Sequence, residues 1–249
     1  MINKADIARR FGQNASTYEE SAAVQYRAAE VLASHMEVVC MSGGRMFEVG
    51  CGTGILTRML MKRLKPHSYI VNDISDGMLD QMVSASSDNV MAILPGDAEQ
   101  ISWPMDTDIV VSASAVQWFE DPLSFVSKAC KCMSAGGVVG LVTYGPQTFR
   151  ELSTLGIEGL HYPSLGEWRG RFEKKGFEVL VCENHLEVLH YPTAIDVMRE
   201  LQRAGVTSSS RPLMAGAMRT LMTRYEDMFR CEQGVPITYD VYIIVAKLL

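Results

Sequence analysis

The chain contains Glu48-Val49-Gly50-Cys51-Gly52-Thr53-Gly54, seven residues that decide its fold. Apolar Met46 and Phe47 precede this stretch, and an amphipathic run over residues 55–64 follows it. This order indicates a buried strand, a tight turn and the start of a helix, as in a nucleotide-binding βα unit. Glycine is required where the main chain must take unusual backbone angles and approach a ligand without a Cβ in the way.

The spacing of the glycines discriminates between ligands. A dinucleotide fingerprint of the form G-x-G-x-x-G requires a small residue at position 55, where this chain has Ile55. The observed form, E-x-G-x-G-x-G, resembles motif I of class I S-adenosylmethionine (SAM)-dependent methyltransferases. The resemblance implies that SAM is the cofactor and that this turn contacts it through Glu48, Gly50, Cys51, Gly52 and Gly54. A glycine turn of another α/β protein is the alternative.

Asp73 provides a second marker of a nucleotide site. The apolar run over residues 69–72 predicts a second strand, and Asp73 ends it, followed by Ile74. A carboxylate at this point, about 20 residues beyond the glycine turn, accepts hydrogen bonds from ribose hydroxyls in nucleotide-binding folds. The resemblance assigns that role to Asp73 and a cofactor contact to Ile74. Asp73 is equally suited to capping the helix that follows, and the two roles are compatible.

Two later strands complete the pattern. Asp97 and Ala98 follow an apolar run over residues 90–94, and the resemblance places them beside the adenine, with Asp97 accepting its amino hydrogen. Residues 108–118 predict a buried parallel strand opening into a loop that floors the cofactor site, with Ser112 as a contact. The predicted fold is α/β: a doubly wound, Rossmann-like, mostly parallel sheet of seven strands, the last of them antiparallel.

Composition limits the other possibilities. The content of 47% hydrophobic and 21% charged residues is that of a globular protein, and the net charge of −6 argues against a dedicated nucleic-acid binder. Residues 1–20 lack a signal-peptide core and no run of 18 apolar residues occurs, so we predict a cytoplasmic protein that does not bind membranes. The six cysteines show no metal-ligand spacing, and no metal site is predicted.

The chain is long enough for one α/β domain with additions. We predict a single methyltransferase domain over residues 1–249, with an N-terminal helical cap at 1–40 and a cofactor-binding core at 41–190. A helical lid insertion at 191–235 and a final strand at 236–249 complete it. The cap and the insertion are expected to select the substrate, because they lie outside the cofactor core.

A narrower resemblance covers most of the chain. IARRFGQNASTYE (7–19), QWFEDP (117–122), TFREL (148–152), MRELQRAGV (198–206) and ITY (237–239) are similar to segments of the malonyl-acyl carrier protein O-methyltransferases of bacterial biotin synthesis. The resemblance implies methylation of the free carboxylate of a malonyl thioester, carried on acyl carrier protein or coenzyme A. At residues 202–206 the chain departs from the family, which more often has a lysine and Gly-Ala there.

This reaction needs no general base, because a carboxylate is already ionised at neutral pH. The predicted catalytic residues are Tyr18, Gln117 and Arg199, which would orient the carboxylate through a hydroxyl, an amide and a guanidinium. Each of Tyr18 and Arg199 is equally well explained as a solvated helix residue. Trp118 is expected either to wall the pocket or to pack beneath it.

Two basic clusters give the acidic carrier protein a surface to dock on, although solvated helix faces explain them as well. The first contains the arginines between Arg199 and Arg230, among them Arg211, Arg219 and Arg224, and the second is Arg58, Lys62, Arg63 and Lys65. The competing functions are a methyltransferase of small carboxylates of the trans-aconitate type and a non-catalytic SAM-binding protein. A nucleic-acid methyltransferase is disfavoured because residues 112–115, Ser-Ala-Ser-Ala, replace the Asn/Asp-Pro-Pro-aromatic motif of base-amine methylases.

Overall fold

The computed structural model describes residues 3–85, 91–204 and 215–249. It contains a seven-stranded sheet in the order β3-β2-β1-β4-β5-β7-β6. The strands are β1 (Arg45–Val49), β2 (Ser68–Asp73), β3 (Met91–Pro95), β4 (Thr107–Ala113), β5 (Met133–Tyr144), β6 (Phe177–Tyr191) and β7 (Val235–Leu248). β7 pairs antiparallel with both β5 and β6, whereas β1 to β5 are parallel. The predicted fold class, including the antiparallel last strand, is confirmed.

Helices connect β1 to β2, β2 to β3 and β4 to β5, whereas β3 and β4 are joined without a helix; further helices lie between the later strands. They are α1 (Lys4–Asn14), α2 (Ala23–Val39), α3 (Ile55–Leu64), α4 (Asp76–Ala85), α5 (Ser124–Cys132), α6 (Arg150–Thr154), α7 (Leu165–Lys174), α8 (Ala194–Arg203) and α9 (Ala215–Phe229). Among the described helices, none is long and apolar enough to cross a lipid bilayer.

Apolar side chains cover both faces of the sheet. Met46 and Phe47, neighbours on β1, are buried in different clusters, as the alternation of side chains along a strand requires. Met46 shares its cluster with Leu60 of α3 and with residues of α2 and α9, whereas Phe47 packs with Phe125 of α5 and Phe172 of α7. The two layers of helices cover the faces of the sheet and leave free the side at which the parallel strands end, which we call the open edge of the sheet.

The differences from the predicted elements are local. The predicted N-terminal helical segment is two helices, α1 and α2, separated by a 3-10 turn at Tyr18–Ser21. The stretch between β5 and α7 contains a short helix, α6, that the sequence pattern does not indicate. α8 and α9 lie between β6 and β7, where an insertion was predicted; its role as a lid stays a prediction. Arg211 lies outside the described residues.

Candidate active site

A crevice of about 920 Å³ opens where β1, β2, β3 and β4 end. Open α/β sheets bind ligands at this edge, beyond the carboxyl ends of the strands. All but two of the predicted cofactor residues line the crevice: Glu48, Gly50, Cys51, Gly52, Asp73, Ile74, Asp97 and Ala98. The structure therefore brings together residues from three separate strand ends that the sequence pattern linked only by spacing.

The glycine turn is shaped to bring bare main chain to the crevice. Gly50 has a φ of +68°, and a Cβ added there would stand 2.2 Å from the Cβ of Ala115, on the loop after β4. Gly52 has a φ of +55°, and a Cβ added there would meet no protein atom within 4 Å. Gly50 is therefore needed for close packing within the protein, while Gly52 leaves the crevice wall open.

Asp73 is tied to this turn. Its Oδ2 accepts a hydrogen bond of 2.8 Å from the amide of Gly52, and its Oδ1 accepts one of 2.9 Å from the amide of Ser75. Burial raises the pKa of the carboxyl, and the backbone hydrogen bonds oppose that rise. A carboxylate has about four acceptor sites, so Asp73 has further capacity for hydrogen bonds from the hydroxyl groups of a ligand.

Asp97, the predicted adenine contact, is paired with a lysine that the sequence did not single out. Lys4 Nζ at the start of α1 lies 2.9 Å from Asp97 Oδ1 and 2.6 Å from Glu99 Oε2. The same ammonium group lies 5.2 Å from the centre of the Phe119 ring. α1 is thereby held across the crevice, with Lys4, Ile7 and Phe11 in its lining.

Glu48 is the most deeply buried carboxyl of the crevice lining, with 1% of its surface exposed. Its Oε2 accepts hydrogen bonds from the hydroxyls of Tyr69, at 2.6 Å, and Thr57, at 2.7 Å. Burial raises the pKa of Glu48 to about 7, although both hydrogen bonds lower it. The side chain is therefore poised to change its charge near neutral pH.

Two predicted cofactor residues do not line the crevice. Gly54 is the N-cap of α3 with a φ of +87°, and a Cβ there would stand 2.8 Å from Met82 Cγ, so this glycine serves the packing of the helix start. Ser112 is fully buried, and its hydroxyl donates a hydrogen bond of 2.8 Å to the carbonyl of Val49. The side chain of Ser112 thus ties β4 to β1, and a cofactor contact at this position stays a prediction.

A second cavity, of about 350 Å³, adjoins the crevice and shares five lining residues with it: Phe11, Tyr18, Gln25, Ser114 and Trp118. We call it the aromatic cavity. Its other walls come from the loop after β4, the end of β5, the segment around α6, the end of α8 and the start of β7. These residues are Gln117, Tyr144, Thr148, Phe149, Tyr162, Ala204 and Tyr239. A ligand in this cavity would lie next to a ligand in the crevice.

Ser114 stands at the junction of the two cavities in a strained conformation, with a φ of +58°. Its amide donates to the carbonyl of Val142, its carbonyl accepts from Gln117 Nε2 at 2.6 Å, and its hydroxyl lies 2.9 Å from that of Tyr144. Phe149, also in the aromatic cavity, has the same positive φ. Strained non-glycine residues persist where the surroundings hold them, and they cluster at functional sites.

Of the predicted catalytic residues, the structure brings two together. Tyr18 lines both cavities, and Gln117 lines the aromatic cavity with 5% of its surface exposed. Arg199 is not brought to either cavity: its side chain is 61% exposed and lies 3.1 Å from Asp196, one helical turn away. Trp118 is buried and lines both cavities, with its ring 5.7 Å from that of Phe11.

A polar cluster links the segment carrying Tyr18 to the glycine turn. Glu19 Oε1 accepts hydrogen bonds of 2.7 Å from both the hydroxyl of Thr53 and the guanidinium of Arg58. Arg58 also donates to the carbonyl of Thr53, at 2.8 Å. The position of Tyr18 is therefore coupled to the conformation of the turn that forms the crevice wall.

Sequence reasoning missed Tyr144, Tyr162 and Tyr239 as site residues. Tyr144 ends β5 at the open edge of the sheet, a position that the alternation of strands and helices could have indicated. Tyr239 reaches the same edge because β7 runs antiparallel and places its beginning there, with Val241 opposite Tyr144. No local pattern marks Tyr162, which lies in an irregular segment between α6 and α7.

The crevice has features that suit SAM: its wall carries no Cβ at Gly52, the Asp73 carboxylate could accept hydrogen bonds from hydroxyl groups, and Ala98 adds an apolar surface beside Asp97. A family model described as "Methyltransferase domain" matches residues 47–141. A putative methyltransferase from Bacillus halodurans C-125 has the same fold, with a TM-score of 0.65 and 17% identity over 87% of this chain and 97% of its own. The protein is a class I SAM-dependent methyltransferase.

Sequence relatives narrow this class to one family. A malonyl-[acyl-carrier protein] O-methyltransferase of Bacteroides thetaiotaomicron is 30% identical over 99% of this chain and 98% of its own length. A protein of the same name from Bacteroides fragilis is 29% identical over 98% of this chain, which spans only 50% of that relative. The chain belongs to the family of these O-methyltransferases.

Proposed function

We propose that the protein transfers a methyl group from SAM to the free carboxylate of a malonyl thioester on acyl carrier protein, an early step of biotin synthesis. The names of the relatives support this substrate. The observation that carries the proposal is the aromatic cavity: it adjoins the crevice, and its described lining contains no lysine, arginine, histidine, aspartate or glutamate. Such a cavity suits a reaction whose nucleophile needs no base.

Residues of the chain would orient the nucleophile and exclude water from it. Bound SAM supplies a methyl group on a positively charged sulfur. Tyr18, present in both cavities, is placed to donate a hydrogen bond to a carboxylate near that group, and burial raises its pKa well above the ordinary value, so it stays a donor. The rings of Phe11 and Trp118 are in contact at the junction, where they would exclude water. The opposite charges of the carboxylate and the sulfur cancel as the methyl group is transferred, so surroundings without water would accelerate the step. Alignment of the carboxylate with the methyl group would increase the rate further.

The proposed product is a methyl ester, which makes the malonyl end resemble an apolar acyl chain and so acceptable to fatty-acid elongation enzymes. The reaction is tested by incubating the protein with labelled SAM and, separately, malonyl-acyl carrier protein, malonyl-coenzyme A, trans-aconitate and malonate. One added methyl group on the malonyl thioester, removable by an esterase, is the expected result. Methylation of the free acids with none of the thioesters would refute the proposal, as would SAM binding with no acceptor.

The carrier protein is proposed to dock on the arginines of α8 and α9. Arg219 and Arg224 are exposed, as is Arg203, whose guanidinium lies 3.8 Å from Glu200. Ala204, which directly follows α8, lines the aromatic cavity, so Arg203 at the end of α8 is the neighbour of a residue of the proposed acceptor site. An acidic carrier protein would be attracted to exposed cations there.

Charge reversal tests the docking surface. The double variant Arg219→Glu/Arg224→Glu should raise the KM for malonyl-acyl carrier protein while leaving that for malonyl-coenzyme A and the affinity for SAM unchanged. Arg169→Glu is the matched control, because Arg169 is 51% exposed on a different helix, α7. An unchanged KM for the carrier-bound substrate in the double variant would place the docking surface elsewhere.

A further inference from the structure

The aromatic cavity contains an unusual concentration of phenolic hydroxyls. Tyr18, Tyr144, Tyr162 and Tyr239 all line it, although they come from the N-terminal 3-10 turn, β5, an irregular segment and β7. Their side chains lie close enough to influence one another: after burial, Tyr144 is the next cause that raises the pKa of each of the other three. The four side chains therefore share one cavity, in which the rings of Tyr144 and Tyr239 lie 6.2 Å apart.

Three of these hydroxyls are available to a ligand. Tyr144 is engaged with the Ser114 hydroxyl at 2.9 Å. Within residues 3–85, 91–204 and 215–249, the hydroxyls of Tyr18, Tyr162 and Tyr239 form no hydrogen bond with protein. None of these three oxygens is among the fully buried polar atoms that lack a partner in the described residues, so each stays accessible and can donate a hydrogen bond. Three accessible phenols without a protein partner therefore line one cavity, where a bound acceptor group could receive all of their hydrogen bonds.

The charge of the lining defines the kind of ligand. Burial raises the pKa of all four tyrosines, that of Tyr144 to about 12, so at neutral pH they are protonated donors. The described lining contains no cationic side chain that would form an ion pair. It therefore offers several neutral donors to one acceptor group, surrounded by aromatic rings.

We propose that Tyr162 and Tyr239, together with Tyr18, bind the acceptor carboxylate of the malonyl thioester as a clamp of neutral hydrogen-bond donors. This proposal rests on the proposed function. Tyr144, held by Ser114, is a positioning residue whose ring lies 6.2 Å from that of Tyr239. The clamp takes the place of the guanidinium that the sequence predicted at Arg199.

Neutral donors have two chemical consequences for this reaction. A phenol orients the carboxylate but leaves its charge in place, so the nucleophile keeps its full charge for the positively charged sulfur of the cofactor. A guanidinium would satisfy both carboxylate oxygens in a bidentate ion pair and weaken that attraction. The clamp also favours ligands with a single carboxylate. A second carboxylate in the cavity would lose its water without gaining a charged partner among the described residues, and this costs binding free energy.

The test distinguishes recognition of the charge of the acceptor group from recognition of its shape. We compare wild type with Tyr162→Phe, Tyr239→Phe and the double variant in two assays. The first measures kcat/KM for malonyl-coenzyme A. The second measures, by competition, the binding of acetoacetyl-coenzyme A, whose acyl group is a neutral isostere of the malonyl group. Each lost hydroxyl should lower kcat/KM by roughly 10- to 100-fold, the usual effect of removing a hydrogen bond to a charged group. Binding of the neutral isostere should change less than threefold, and so should binding of S-adenosylhomocysteine by calorimetry.

Two further tyrosines serve as controls. Tyr225→Phe removes a buried hydroxyl that donates to the carbonyl of Pro236 outside the cavity, and Tyr26→Phe removes an exposed one. Neither should change kcat/KM by more than twofold. Equal losses for the malonyl and acetoacetyl compounds in the cavity variants, or no loss for either, would overturn the clamp.

The proposed function fails separately, if wild type methylates no malonyl thioester. In that case binding of malonyl- and acetoacetyl-coenzyme A to wild type and to the double variant, with S-adenosylhomocysteine present, still tests the clamp. A preference for the malonyl compound that disappears in the double variant supports it, and equal binding of both compounds by wild type refutes it.

Discussion

The two glycines of the crevice wall make a matched pair for mutation, because an added methyl group meets protein at one and open space at the other. At Gly50 the new Cβ would lie 2.2 Å from that of Ala115, well inside the 3.5–4.0 Å at which carbon atoms pack favourably. The loop after β4 must then move, and the positive φ adds about 1–2 kcal/mol. We expect Gly50→Ala to lower the free energy of unfolding by about 2–4 kcal/mol in total.

Gly52→Ala should behave differently. Its φ of +55° lies within the left-handed region open to other residues, and no protein atom obstructs the new Cβ, so the cost in unfolding free energy should be about 1 kcal/mol. The methyl group would instead occupy the crevice wall and raise the Kd for S-adenosylhomocysteine at least tenfold.

Urea unfolding and titration calorimetry on both variants distinguish these effects. A folded Gly52→Ala protein with wild-type affinity would show that the turn does not contact the cofactor. Equal destabilisation of the two variants would refute the assignment of Gly50 to internal packing and of Gly52 to the crevice.

Three other predictions follow from buried contacts. The pKa of Glu48 is raised from its usual 4.5 to about 7, so between these pH values the native protein binds a proton that the unfolded chain has lost. The free energy of unfolding should therefore fall by about 3 kcal/mol as the pH rises from 4.5 through 7. Urea titrations at pH 5 and pH 8 should show a smaller fall for Glu48→Gln than for wild type. Gly77→Ala should retain α4 but displace α1, because the new Cβ would lie 2.9 Å from Gly12 Cα. The KM for SAM should rise, and α1 should become sensitive to protease. An unchanged KM would argue against a contribution of α1 to the crevice. Tyr225→Phe should lower the free energy of unfolding by about 1–2 kcal/mol through loss of its 2.7 Å hydrogen bond to Pro236, and thermal unfolding that matches wild type would contradict this.

The crevice could be predicted from sequence because its parts are local. The turn from Glu48 to Gly54 requires glycine for backbone reasons, and Asp73 lies where β2 ends, so short-range patterns indicate both. Ser112 shows the limit of this reasoning. Its position in the strand was predicted correctly, but alternation along a strand cannot say whether a side chain faces a ligand or a neighbouring strand.

The aromatic cavity could not be predicted in the same way. Tyr18 and Tyr239 meet only after the whole sheet has formed, and Tyr162 belongs to no regular element. Arg199 was chosen from a resemblance; in the structure its side chain is exposed on α8, 3.1 Å from Asp196 of the same helix, and its catalytic role stays a prediction. Contacts between distant segments depend on packing that neither spacing nor composition encodes.

The order β5-β7-β6 has a consequence for how the protein reaches its native state. β6 is synthesised before β7, yet in the sheet β7 separates it from β5, so β5 and β6 each wait with an unsatisfied edge until the last strand inserts between them. Exposed edges of this kind recruit strands from other molecules. Newly made chains should therefore be prone to aggregate during this interval, and a chaperone that shields strand edges should raise the yield of native protein.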